Sequence, residues 1–158
     1  MSKISKRIIF LISIFLLSSC GYKVLDNSKL KNYNIKEMRT YGDKRTNFSI
    51  KNSLALGKID NAENNLIIEI NTKKNKSIKE KNIKNEISKY EISLTSKIKI
   101  DFLEKNKQEE FSVKSTGNYA VSDKYSTTLK NEKRLIENLT NDISNKIQSE
   151  INLIINDL

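Results

Sequence analysis

Chemistry needs particular side chains, and this 158-residue sequence holds few of them. It has no histidine and a single cysteine, Cys20. Zinc or copper sites built from imidazole and thiolate are therefore not available, nor is a Ser/His or Cys/His nucleophile pair. Gly21, Gly42, Gly57 and Gly117 lie far apart, so no glycine-rich loop cradles a phosphate. The acids sit mostly on polar faces beside lysines, where solvated ion pairs are the plain reading, and no enzymatic turnover is expected. Two features remain that could act: the lone cysteine and the many lysines.

The cysteine stands in "FLLSSCGYKV", residues 15–24. A basic start (Lys3, Lys6, Arg7) precedes it, then an apolar run from Ile8 to Leu17 broken only by Ser13. That run is too short to span a bilayer, which takes about 20 apolar residues, and its order matches a secretory signal. Leu17-Ser18-Ser19-Cys20 resembles a bacterial lipobox. The resemblance implies removal of residues 1–19 and acylation of Cys20, the covalent lipid being the only non-protein group expected. The plainer alternatives are an ordinary signal peptide with a cysteine nearby, or a short signal anchor. A lone thiol is out of place in an oxidising compartment, and a thioether removes that difficulty. At about 0.8 kcal/mol per buried methylene, several acyl chains anchor where one does not. Gly21, rather than an aspartate, follows the cysteine; by resemblance to bacterial lipoproteins this implies the outer membrane.

Loss of residues 1–19 takes away three basic residues and no acids, lowering the formal charge from +10 to +7. Such a balance suits an anionic partner, and for an exported chain nucleic acid is not expected. Abundant Lys, Asn and Ile with no Pro or Trp also fits an AT-rich genome, which inflates lysine without selection for charge. Both readings stand. The densest run is "KKNKSIKEKNIKNEI", with Lys73, Lys74, Lys76, Lys79 and Lys81; it reads either as a phosphate-meeting patch or as a solvated strand end or loop.

The elements that must position these lysines follow from periodicity. Residues 20–34 read as the lipidated N-terminus and its tether, and residues 35–158 as one domain. A strand is expected over 35–41, then a helix in "TNFSIKNSLALGK" capped by Thr46 or Asn47 and closed at Gly57. Its expected face carries Phe48, Lys51 and Ala55, with Ile50 and Leu54 adjoining. "LIIEI" alternates as a strand. From Tyr90 to Phe102 every second residue faces a core, all of them apolar or aromatic but the small Ser96, with Lys97 and Lys99 on the wet face, and Phe111 to Val121 alternate again after the turn "EKNKQ". That is a long antiparallel hairpin. The period then becomes helical: Ile136, Leu139, Ile143, Ile147, Ile151, Ile154 and Leu158 form one stripe on a helix starting near Thr128. Its polar face carries Asn and Asp rather than the Lys and Arg of a membrane-surface helix, so it is expected to pack on the sheet. The fold class is α+β: a two-layer sandwich of a roughly four-stranded, mostly antiparallel sheet with two helices on one face.

These residues carry a family resemblance. The lipobox cysteine followed by "GYKVL", then Tyr90-Glu91-Ile92-Ser93-Leu94, the turn Glu104 to Gln108, Tyr119-Ala120-Val121-Ser122, Tyr125-Ser126-Thr127 and Glu132 together resemble LptE, the outer-membrane lipoprotein of lipopolysaccharide assembly, in its alphaproteobacterial form. The likeness spans about residues 17–155, with its specific part at 88–145. Unlike the family pattern, this chain has no Pro on the approach to the first strand, and it carries Lys where strand arginines are common. The resemblance implies a lipid-anchored protein on the periplasmic face of the outer membrane that plugs an LptD-like β-barrel and binds lipopolysaccharide without turnover. The candidate contacts are Lys73, Lys74, Lys76, Lys79 and Lys81, because several ammonium groups can meet phosphates as point charges, with Lys97 and Lys99 on the wet face of the long strand as second choices. The alternatives are an accessory lipoprotein of the barrel-insertion machinery, which would not bind lipopolysaccharide, and a periplasmic small-ligand carrier.

Overall fold

A computed structural model describes residues 33–55 and 64–157. Cys20, most of the tether and Gly57 lie outside them. Within them the order is β1 (Tyr33–Gly42), α1 (Lys44–Ala55), β2 (Asn64–Lys81), β3 (Ile87–Phe102), β4 (Lys107–Ala120) and α2 (Tyr125–Asn156). The strands form one mixed sheet in sequence order. β1 pairs parallel to β2, which requires the crossover helix α1; β2–β3 and β3–β4 pair antiparallel. The expected α+β architecture with both helices on one face is the observed one.

Alternation decides which face meets the helices. In β3, Ile92, Leu94, Ser96, Ile98, Ile100 and Phe102 are buried, and in β2 so are Leu66, Ile68, Ile70 and Thr72. They meet the stripe of α2 (Leu139, Ile143, Ile147, Ile151 and Ile155) and Ile50 and Leu54 of α1. Removing each such aliphatic side chain from water stabilises the fold by about 1.5–3 kcal/mol. The stripe on α2 departs from expectation in its last turns, where Ile155 is buried and Ile154 only half-buried. A straight helix advances by 3.6 residues per turn, and that carries 155 into the seam. α2 also begins three residues earlier than expected, because Thr128 is bonded to the incoming chain: its Oγ1 accepts from Ser122 N at 2.9 Å.

α1 departs more. Its cap is Asp43, whose Oδ1 accepts from Thr46 N at 2.9 Å, so the helix starts before Thr46 and Asn47, and both of these are buried in its first turn. Asn47 Nδ2 donates to Tyr41 O at 2.6 Å, tying the helix back to β1. The buried face is Ile50 and Leu54, while Phe48 and Lys51 are exposed. The cap belongs to Asp43 because Gly42, at φ +89°, turns the chain sharply out of β1, and only a residue directly after the turn can reach the free helical N–H groups.

The lysine-rich stretch extends the strand. β2 runs 18 residues, paired along its length to β3, and every residue from Lys73 to Glu86 is exposed. Past the Lys89–Ala120 pair, where β4 ends, only the β2–β3 hairpin continues, as a short two-stranded arm.

Candidate functional site

Strand pairing sorts the candidate lysines between the two faces. Lys74 and Lys76 lie on the helix side. Lys74 Nζ reaches Asp43 at 3.1 Å, and Lys76 Nζ reaches Glu132 at 2.8 Å. Both are engaged in holding a helix start to the sheet. Lys79 pairs with Glu91 at 2.8 Å on the open face, and Lys81 donates to Asn85 Oδ1 at 3.0 Å in the hairpin turn. These lysines do not converge into a single patch.

Lys73 and Lys97 do converge on the open face, together with Lys114, a residue the lysine run gave no reason to choose. Thr95 lies directly opposite Lys73 on one side and Lys114 on the other, which places the two lysine Cα atoms about 10 Å apart. Lys97 is two residues along β3, flanked by Asn71 and Ser112, and diagonal neighbours in a sheet are within reach of long side chains. None of these three lysines has an ion-pair partner among the described residues. The next row, Asn75–Ser93–Thr116, adds an amide and two hydroxyls. Lys99 is different: Glu69 and Glu110 lie directly opposite it on the two neighbouring strands.

Acids confine the cationic part of this face. Arg39 donates to Glu37 at 2.8 Å and to Glu69 at 3.0 Å; the hydrogen bonds from Arg39 hold Glu37 below the usual carboxylate range, and those to Glu37 and then Glu69 raise the guanidinium. A shallow depression of about 600 Å³, with Tyr41, Asn71, Lys97, Lys99 and Ser112 in its lining, lies over the boundary between the acidic row and the lysines. Three unpaired ammonium groups among hydroxyls and amides can meet phosphate oxygens as point charges while neighbouring polar groups bond sugar hydroxyls. The signal that would have found Lys114 is the hairpin register: placing the turn at 103–106 sets 95 opposite 114.

On the helix side, Lys76 lies 4.5 Å from the Tyr90 ring centre and 5.3 Å from that of Tyr119, and the two rings stack at 5.6 Å. Tyr119 Oη donates to Glu132 Oε2 at 2.8 Å. Burial pushes the Glu132 carboxyl up, but hydrogen bonds from Lys76 and Tyr119 outweigh it and leave the group below its ordinary range. Burial likewise opposes the charge on Lys76, and its bond to Glu132 more than restores it. This cluster clamps β2 to the first turns of α2.

Among the described residues, no group of three or more carboxylates or thiols is placed to hold a metal ion, and no helix is long and apolar enough to cross a membrane.

No protein-family model and no curated protein sequence matches the chain. Solved structures do. Rare lipoprotein B from Shewanella oneidensis superposes with a TM-score of 0.59 at 12% identity, over 77% of this chain and 98% of that one. Lipoprotein B from Nitrosomonas europaea gives 0.57 at 11%, over 79% and 87%. A candidate lipoprotein from Caulobacter crescentus CB15 gives 0.53 at 11%, over 82% and 94%. This chain shares the fold of bacterial lipoproteins.

Proposed function

We propose that the chain is a lipid-anchored outer-membrane lipoprotein of the LptE kind, which plugs an LptD-like β-barrel and binds lipopolysaccharide without turnover. The observation that carries this reading is the open sheet face, where Lys73, Lys97 and Lys114 stand unpaired amid Thr95, Ser112 and Asn71. Among the described residues helices cover the sheet on one side only, which leaves the other for a large partner, and that face is chemically suited to a phosphorylated saccharide headgroup. The lipobox-like Cys20 and the shared lipoprotein fold support the cellular setting.

The test has two arms. A mild-detergent pull-down of the tagged chain from outer membranes is expected to recover a large β-barrel near one-to-one. Lipopolysaccharide binding is expected to fall at least tenfold in the Lys73→Gln/Lys97→Gln/Lys114→Gln chain. Recovery of barrel-insertion subunits instead, with unchanged lipopolysaccharide binding, would establish the accessory-lipoprotein alternative.

A further inference from the structure

The far end of the hairpin arm has a composition that the open face does not explain. Ile83, at the apex of the β2–β3 turn, is fully exposed, and Ile78, at the base of the arm opposite Tyr90, is half-exposed. Beneath the arm, where β4 passes into α2, Tyr125 is 75% exposed and Leu129 46%. They line a groove of about 440 Å³ together with Ile87 and Tyr90. Exposed aliphatics gathered at one end of a molecule mark a contact surface.

The apex is built so that its isoleucine can leave water cheaply. Asn82 Oδ1 accepts from Lys84 N at 2.9 Å and from Glu86 N at 3.0 Å. Asn85 N donates to Asn82 O at 2.9 Å, and Asn82 N to Glu86 O at 2.8 Å. Asn85 takes the left-handed conformation, φ 62°, that the turn requires. The amides of Asn82, Lys84, Asn85 and Glu86 are thus bonded within the turn, which lowers the cost of bringing it into the headgroup region, where the remaining polar groups still meet water. Around the apolar tip, Lys84, Lys124 and Lys130 are exposed and have no ion-pair partner among the described residues. Lysine stems can lie along an apolar surface while the ammonium reaches toward phosphate, and tyrosine favours the membrane–water interface.

We propose that this tip is a membrane-contact surface. Ile83 enters the headgroup region of an anionic phospholipid bilayer, Tyr125 and Leu129 rest at its boundary, and the three free lysines meet lipid phosphates. β2 starts at the end of the sheet where the described chain begins and spans about 56 Å, so the tip lies far from Tyr33. The twelve residues between Cys20 and Tyr33 reach about 40 Å when extended, enough to let a domain anchored at Cys20 tilt its arm to the same bilayer. The inference requires neither the barrel partner nor lipopolysaccharide.

The sequence contains no tryptophan, so Ile83→Trp gives the full chain a single reporter at the apex, and Leu103→Trp gives one at the opposite end of the sheet. Both chains are reconstituted into vesicles of phosphatidylethanolamine and phosphatidylglycerol with or without brominated acyl chains. The apex reporter is expected to be blue-shifted and quenched at least twofold by the brominated lipid, the other reporter not. Quenching at the apex is expected to fall when phosphatidylglycerol is replaced by phosphatidylcholine, or when Lys84, Lys124 and Lys130 are changed to Gln. Equal, water-like emission from both reporters would overturn the proposal. So would a blue-shifted apex that brominated lipid does not quench, which would mean that the chain itself or a second copy covers the tip.

Discussion

Lys76 donates to Glu132 at 2.8 Å across 56 positions of sequence, joining β2 to the start of α2 with the stacked rings of Tyr90 and Tyr119 beneath the ammonium. Both partners are partly exposed, so solvent screening limits the pair to about 1 kcal/mol, cation–π contact included. Lys76→Gln is expected to lower stability at pH 7 by about that amount in urea denaturation. The pH dependence has a definite sign. The Glu132 carboxyl sits lower in the folded chain than unfolded, so its contribution is present above the unfolded carboxylate pKa and is lost as pH falls through the folded value. Lys76 sits higher in the folded chain, so its contribution is complete below the unfolded lysine pKa and is lost as pH rises through the folded one. The difference between Lys76→Gln and the parent is therefore flat from about pH 5 to 10 and shrinks in acid below about pH 4.

Asp43 caps α1 and receives Lys74, so Asp43→Ala removes both. Loss of a helix N-cap costs about 0.5–2 kcal/mol, and Asp43→Asn retains most of the cap while losing the ion pair. The expected order of stability by chemical denaturation is parent, Asp43→Asn, Asp43→Ala. Burial raises the Asp43 carboxyl, but the bonds from Thr46 and Lys74 bring it below its ordinary value. The parent's advantage over Asp43→Asn is thus present above the unfolded Asp pKa and disappears as pH falls through the folded value.

Two glycines separate backbone strain from a flexible neighbour. At Gly42 the backbone has φ +89°, and an added Cβ would press on the carbonyl oxygen of Thr72, which is fixed in the sheet. Gly42→Ala is expected to cost about 2–3 kcal/mol. At Gly117 the added Cβ would lie 2.7 Å from Leu135 Cδ1, the far end of a half-buried side chain that can turn away. Gly117→Ala is expected to cost under about 1 kcal/mol. Equal midpoint shifts in guanidinium would show that helix α2 cannot yield over β4.

The open face makes a ranking of single substitutions. Lys97→Gln, Lys73→Gln and Lys114→Gln are each expected to weaken binding of a phosphorylated saccharide, and to lower its salt dependence, while leaving stability within about 0.5 kcal/mol. Lys74→Gln and Lys76→Gln are expected to do the reverse, because their ammonium groups already hold helix starts. A binding assay and a melting curve on the same five chains read both columns, and a loss of binding confined to Lys74 and Lys76 would move the site to the helix side.

Much of this architecture is legible in the sequence because alternation and helical spacing are local. Tyr90 to Phe102 shows its two faces without any partner, and the stripe from Leu139 to Ile151 declares a helix. The misreadings occur where a backbone turn or strand pairing decides. Thr46 and Asn47 look like caps until Gly42 turns the chain and makes Asp43 the residue in reach. Lys73, Lys74, Lys76, Lys79 and Lys81 look like one patch because they crowd one short run, yet a strand sends neighbours to opposite faces, so Lys74 meets Asp43 while Lys73 meets solvent. Lys114 joins the cluster only through the hairpin register, which depends on where the 103–106 turn falls.

Pairing also explains the polar residues inside the sheet. Ser96 interrupts an otherwise apolar row and is fully buried, as is Thr72 opposite it. Their hydroxyls lie 2.7 Å apart, so each satisfies the other where water does not reach. Thr72→Val leaves the Ser96 hydroxyl buried without that partner and is expected to cost about 1–3 kcal/mol. Ser96→Ala strands Thr72 in the same way and adds a small loss of packing. The double change removes both polar groups and is expected to be less destabilising than the sum of the singles by about 1 kcal/mol or more. A double-mutant cycle by urea denaturation measures this directly. Strict additivity would mean that each hydroxyl finds another partner when its neighbour is lost, and the bond would then contribute nothing specific to the register of β2 on β3.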